Sequence, residues 1–163
     1  MYKYLVPVPA AAIAVLVMLA IAIPLGDVSA AQKPQTNIDS NGVAAEGYDL
    51  VSYFVEAEPK EGSRKFNYSY QGATYLFSSA ENVTLFKKSP EKYLPAYGGF
   101  CSYGVVLGKK FDVSPDAYRI VNNVLFLQLD KGTRLIWDEN PEKNIEIGDR
   151  TWPSIKNIPA NDL

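Results

Sequence analysis

Most of the chemistry available to this chain is concentrated in eight consecutive residues, Tyr97-Gly98-Gly99-Phe100-Cys101-Ser102-Tyr103-Gly104. They hold its single cysteine, and the whole sequence contains no histidine. A thiol is the strongest soft nucleophile or metal ligand a side chain supplies, so a reaction would start here. Amides of Gly98-Gly99 are positioned in the sequence to lower the pKa of a neighbouring thiol. Three readings of Cys101 stay open: a buried small hydrophobe, a ligand-contacting or reactive thiol, and half of an intermolecular disulfide. Tyr48-Asp49 offers a phenol and a carboxylate that would form the polar end of a pocket at the same place. The alternative is that Asp49 caps a turn after Gly47 while Tyr48 packs in the core. The candidate ligand-binding set is therefore Tyr48, Asp49, Tyr97, Gly98, Gly99 and Cys101.

Other chemistries lack parts. A nucleophile paired with histidine is excluded by composition, and no local motif selects another base, so no catalytic residue is assigned. Zinc takes about four Cys, His or carboxylate ligands, and copper favours thiolate, thioether or imidazole. With one cysteine, no histidine, and Met1 and Met18 both near the N-terminus, a single chain offers one soft donor. Neither a metal nor a cofactor is expected. Gly98-Gly99 is no phosphate loop, since no Gly-Lys-Ser/Thr follows. With 16 Lys and Arg against 18 Asp and Glu there is no basic stripe for nucleic acid. Lys87-Lys88 and Lys109-Lys110 read as solvated surface. The expected partners are a small molecule or an envelope protein.

The elements that would position these residues follow from local pattern. Residues 1–30 read as a secretory signal: Lys3, an apolar run over 4–25, then Val28-Ser29-Ala30 as the cleavage site. The run is long enough to span a bilayer, so an uncleaved anchor is the alternative. Either way the remainder is extracytoplasmic, periplasmic or secreted. A flexible linker over 31–42, a domain over 43–156 and a tail over 157–163 complete the organisation. One cysteine closes no internal disulfide, leaving stability to the aromatic core. Asn67-Tyr68-Ser69 and Asn82-Val83-Thr84 fit the glycosylation acceptor pattern.

Within the domain, a strand is expected over 50–55 and a hairpin over 65–77 with Gln71-Gly72 at its tip. Ser78 and Glu81 have capping-box spacing for a helix over 79–88. Ser89-Pro90 starts a second short helix carrying Tyr93, which Pro95 ends. Ser114-Pro115 signals another helical turn. Asn122-Asn123 forms the tip of the clearest hairpin, between 118–121 and 124–129, and one or two helices fill 132–156.

These pieces resemble the exported, single-domain branch of the YHS domain family. The likeness is carried by Gly47-Tyr48-Asp49-Leu50-Val51-Ser52-Tyr53-Phe54, Gly72-Ala73-Thr74-Tyr75-Leu76-Phe77, Pro90-Glu91-Lys92-Tyr93, Tyr97-Gly98-Gly99-Phe100-Cys101 and Trp152-Pro153, in the family's order. The resemblance implies a small single α+β domain of antiparallel hairpins, short helices and a helical C-terminal segment, often following a signal peptide. It implies no assigned activity for this branch. Distant relatives bind metal through several cysteines, of which only Cys101 has a counterpart here, and the histidine in the family's name is missing. The functional expectation is a non-enzymatic module binding a small ligand or a protein. The competing classes are a thiol-dependent enzyme or metal-handling protein using Cys101, and a structural envelope protein.

Overall fold

Two hairpins dominate the architecture, and their tips explain them. Gln71 and Gly72 have φ of 47° and 82°, and Asn122 and Asn123 have φ of 50° and 64°. Positive φ at both central residues matches the right-handed twist of the flanking strands. The first tip joins β3 (Ser63–Tyr70) to β4 (Ala73–Phe77), and the second joins β5 (Ser114–Val121) to β6 (Val124–Gln128). The computed structural model describes residues 35–163. The expected leader over 1–30 lies outside the described residues. Among these, no helix is long and apolar enough to cross a membrane.

The fold is α+β, built from three two-stranded antiparallel sheets and short helices. A minimal pair, β1 (Tyr48–Asp49) with β2 (Lys60–Glu61), encloses α1 (Ser52–Val55). The β3–β4 hairpin leads into α2 (Ala80–Lys88), and a short turn of 3-10 helix (Ala96–Gly99) precedes α3 (Ser102–Val106). After the β5–β6 hairpin, α4 (Lys131–Asp138) and α5 (Pro141–Ile155) supply the two expected terminal helices. Asn140 caps α5 by accepting from the Lys143 N–H at 3.1 Å, with Pro141 in the first turn, where its missing N–H costs nothing.

Four local expectations are corrected. Residues 50–55 are not a strand: Leu50 and Val51 lead directly into the helical turn α1 (Ser52–Val55). The Asp49 carboxylate accepts from the Val51 N–H at 2.9 Å, and the Ser52 hydroxyl donates to the Asp49 carbonyl at 2.7 Å. These bonds turn the chain into α1. The cap of α2 is Ser79, accepting from the Asn82 N–H at 3.1 Å, while Ser78 is engaged elsewhere. Ser114-Pro115 begins β5 instead of a helical turn; a register shift between Ser114 and Tyr118 accommodates the proline. The segment after Ser89 is a single 3-10 turn, Pro90–Lys92, with Tyr93 just beyond it.

Apolar side chains collect in two clusters. The first surrounds Phe86 and includes Leu50, Tyr53, Tyr75, Phe77 and Leu127; the second joins Tyr97, Val105, Phe126, Trp137 and Ile155. Strand β6 divides them. Leu125 and Leu127 face the first cluster and Phe126 the second, the alternation a strand buried on both faces must show.

Candidate functional site

Asp49 is fully buried, yet all its bonding capacity is spent on the fold. Oδ1 accepts from the Val51 N–H, and Oδ2 accepts from the Ser78 N–H at 2.9 Å, the Ser78 hydroxyl at 2.7 Å and Asn82 Nδ2 at 2.7 Å. A buried carboxylate needs such donors to replace water. Here they tie β1 to the start of α2. None comes from residues 97–101, so Asp49 is a bracket between elements. Ser78 and Asn82 were missed as its partners because they lie 29 and 33 positions away. Burial of Asn82, with its amide on Asp49, also removes Asn82-Val83-Thr84 as a glycosylation acceptor in the folded protein.

Cys101 is buried to 1% exposure. Its sulfur accepts from the Gly104 N–H at 3.4 Å and the Leu129 N–H at 3.2 Å, and the thiol donates to Gln128 Oε1 at 3.6 Å. The amides around it therefore come from Gly104 and Leu129, not from Gly98-Gly99. Gln128, itself fully buried, also accepts from the Tyr103 N–H at 3.1 Å. The thiol thus works as the cap of α3 and a bridge to the end of β6.

Tyr97 faces away from both. Its ring lies 5.9 Å from Phe126 and 6.1 Å from Trp152, and its hydroxyl donates to Asp149 Oδ1 at 3.1 Å. The pocket geometry expected from sequence, with Tyr97 and Cys101 against Tyr48-Asp49, is therefore corrected: Tyr97 and Cys101 belong to different cores. Burial, and then the Asp149 charge, push the Tyr97 phenol well above its ordinary pKa. Gly148 makes this packing possible, because a Cβ there would sit 2.5 Å from the Tyr97 hydroxyl. Tyr48 is half-buried in β1, opposite Glu61.

Gly98 and Gly99 do border a cavity. They have φ of 63° and 81°, and the turn they make forms one wall of a space of about 300 Å³. Leu50, Tyr75, Leu94 and Trp152 supply apolar walls, and Thr36 and Glu91 supply polar groups. A second space of about 390 Å³ lies by Phe100, Lys110 and Asn157. Cys101 lines neither.

Residues 91–96 line part of this cavity, and comparison with known proteins matches that part of the chain. Residues 51–97 match the family model of the YHS domain. This chain carries a YHS domain. No curated protein and no solved structure matches it. The YHS segment runs from the start of α1 to Tyr97. It includes Ser78 and Asn82 of the Asp49 bracket and ends before Gly98-Gly99 and Cys101.

Lys110, expected at the surface beside Lys109, is instead buried at 7% exposure. Its Nζ donates to the carbonyls of Lys156 at 2.8 Å and Ile158 at 2.6 Å, and it lies 5.1 Å from the Phe100 ring centre and 5.4 Å from that of Trp152. A cation at the carbonyl end of α5 complements the helix dipole, and the rings replace part of its lost hydration. Burial pushes its pKa down. Among the described residues, no group of three or more His, Cys, Asp or Glu is placed to hold a metal ion.

Proposed function

We propose that this YHS-domain chain is an exported binding module that holds a small ligand, with an apolar body and one or two polar groups, in the cavity beside Gly98-Gly99. The carrying observation is the cavity itself: its volume of about 300 Å³ is at the lower end for small-molecule sites, and its walls combine aromatic and aliphatic surface with a few polar groups. The bonding of Cys101 supports a binding role over thiol chemistry, since the sulfur is enclosed by backbone donors and Gln128 away from that cavity. Export rests on the leader pattern over 1–30.

A library of small aromatic and aliphatic fragments, titrated into the labelled protein and read by amide and indole NMR shifts, tests the site. Shifts should cluster on Gly98, Gly99 and the Trp152 indole. Saturable shifts confined to other surfaces would remove the cavity from the proposal. Fractionation with N-terminal sequencing tests export, the expected product being a soluble extracytoplasmic protein starting at Ala31. Membrane-bound material that retains Met1 would make the leader an anchor.

A further inference from the structure

Lys110 is a buried cation with no anion opposite it. An ammonium has three N–H bonds, and two of them are spent on the carbonyls of Lys156 and Ile158. The third has no oxygen partner among the described residues. Carbonyl dipoles and the faces of Phe100 and Trp152 reduce the cost of burying the ammonium but are themselves neutral, so its charge stays whole. No carboxylate among the described residues forms an ion pair with it. Buried charges are ordinarily paired. This one lines the cavity of about 390 Å³.

The other residues of that wall say which anion would suit it. Of the charged ones, Asp112 and Lys156 offset each other, leaving the single positive charge of Lys110. Ile38, Phe100, Ile158 and Pro159 give the cavity an apolar lining. Asn157 adds a second donor: its Oδ1 accepts from Gln35 Nε2 at 2.8 Å, which fixes the amide and leaves Nδ2 for another acceptor. One cation, one amide donor and an apolar lining match a singly charged carboxylate on an apolar body, and the volume is within the range of small-molecule sites.

We propose that the cavity beside Phe100 and Lys110 is a second binding site, which takes a small organic monocarboxylate whose charge is met by the Lys110 ammonium. Asn157 Nδ2 serves the same carboxylate group, and the apolar wall receives the rest of the ligand. The site lies outside the cavity beside Gly98-Gly99 and stands whether or not that cavity holds a ligand.

Phenylacetate, its neutral counterpart phenylacetamide, and inorganic phosphate serve as probes, titrated into the full mature chain and followed by NMR. The reporters are the Lys110 side-chain signals, which the Phe100 and Trp152 rings displace from those of exposed lysines, and the Asn157 side-chain amide. Phenylacetate should shift both saturably and bind about tenfold or more tightly than phenylacetamide. In Lys110→Met, whose side chain can still pack on the two rings, phenylacetate affinity should fall by about tenfold or more while phenylacetamide affinity stays the same. Equal losses for both probes in that variant would mean that Lys110 only shapes the cavity, and would overturn the proposal. Should Lys110→Met fail to fold, the wild type decides: equal affinity for phenylacetate and phenylacetamide overturns the assignment of a carboxylate site. Phosphate binding as tightly as phenylacetate would overturn the organic ligand. Phenylacetate shifts confined to Gly98 and Gly99 would remove this second site and leave the cavity of the proposed function standing.

Discussion

The two cores of this protein are held together by different means. The first, around Phe86, is organised by a buried polar bracket in which one carboxylate gathers donors from α1, the end of β4 and α2. The second, around Trp137, has no such bracket and relies on close approach: Tyr97 lies on Gly148, Phe126 on Trp137, and Lys110 closes the end of α5. The YHS match supplies half of the buried residues of the first cluster and reaches the second only at Ala96 and Tyr97. The cavity lies where the regions meet, with Leu50 and Tyr75 from one and Trp152 from the other. The YHS segment thus contributes part of the cavity's lining, and the rest comes from sequence beyond the match.

Breaking the bracket should have the largest effect. Asp49→Asn keeps the size but turns one acceptor oxygen into a donor facing donors, leaving buried groups unpaired. It should cost about 3 kcal/mol or more in urea unfolding. A fully stable Asp49→Asn protein would return that residue to the list of ligand contacts.

Gly148→Val attacks the other core by driving a side chain into the Tyr97 ring, with an expected loss of about 2–3 kcal/mol. The comparison sharpens here because both tryptophans of the chain, Trp137 and Trp152, belong to the second cluster. Tryptophan emission should therefore change strongly in native Gly148→Val and little in native Asp49→Asn. The opposite pattern would show that the cores are not mechanically distinct.

Some of this division was legible in the sequence. Gln71-Gly72 and Asn122-Asn123 gave both hairpins, because a two-residue turn with positive φ is local chemistry, and Asn140-Pro141 marks the start of α5 just as locally. The strand expected over 50–55 gave way to α1 because Asp49 bonds the Val51 N–H and the Ser52 hydroxyl, while its distant partners Ser78 and Asn82, which only folding brings near, had no local signal. Cys101 stood out in the sequence as the single cysteine, but its partners Gln128 and Leu129 are 27 and 28 residues away, so its bridge to the end of β6 had no local signal. Lys110 looked like Lys109 in sequence; the carbonyls just past the end of α5 that bind it are 46 and 48 residues further on. Of the candidate site, the sequence supplied Gly98 and Gly99 and missed the walls Leu50, Tyr75 and Trp152.

High pH should weaken both regions. Burial raises the phenols of Tyr53 and Tyr75 in the first core, Tyr75 to about 12, and that of Tyr97 in the second. The unfolded chain releases these protons near pH 10 while the folded chain keeps them, so stability is intact below about pH 10 and falls as pH rises further. Melting temperature should drop steadily above that pH, with part of the tyrosinate absorbance appearing only on unfolding. Full tyrosine ionisation in a still-folded protein would contradict the burial of these rings.

The smallest change is expected at the thiol. Cys101→Ala leaves two backbone amides without their sulfur acceptor and should cost about 1–2 kcal/mol while keeping the fold. That variant also provides the most direct test of where this protein binds. Fragments that saturate the Gly98, Gly99 and Trp152 signals should do so in Cys101→Ala with the dissociation constants found for the wild type. Loss of binding in a folded Cys101→Ala protein would place the site at the thiol and contradict the cavity as the centre of function.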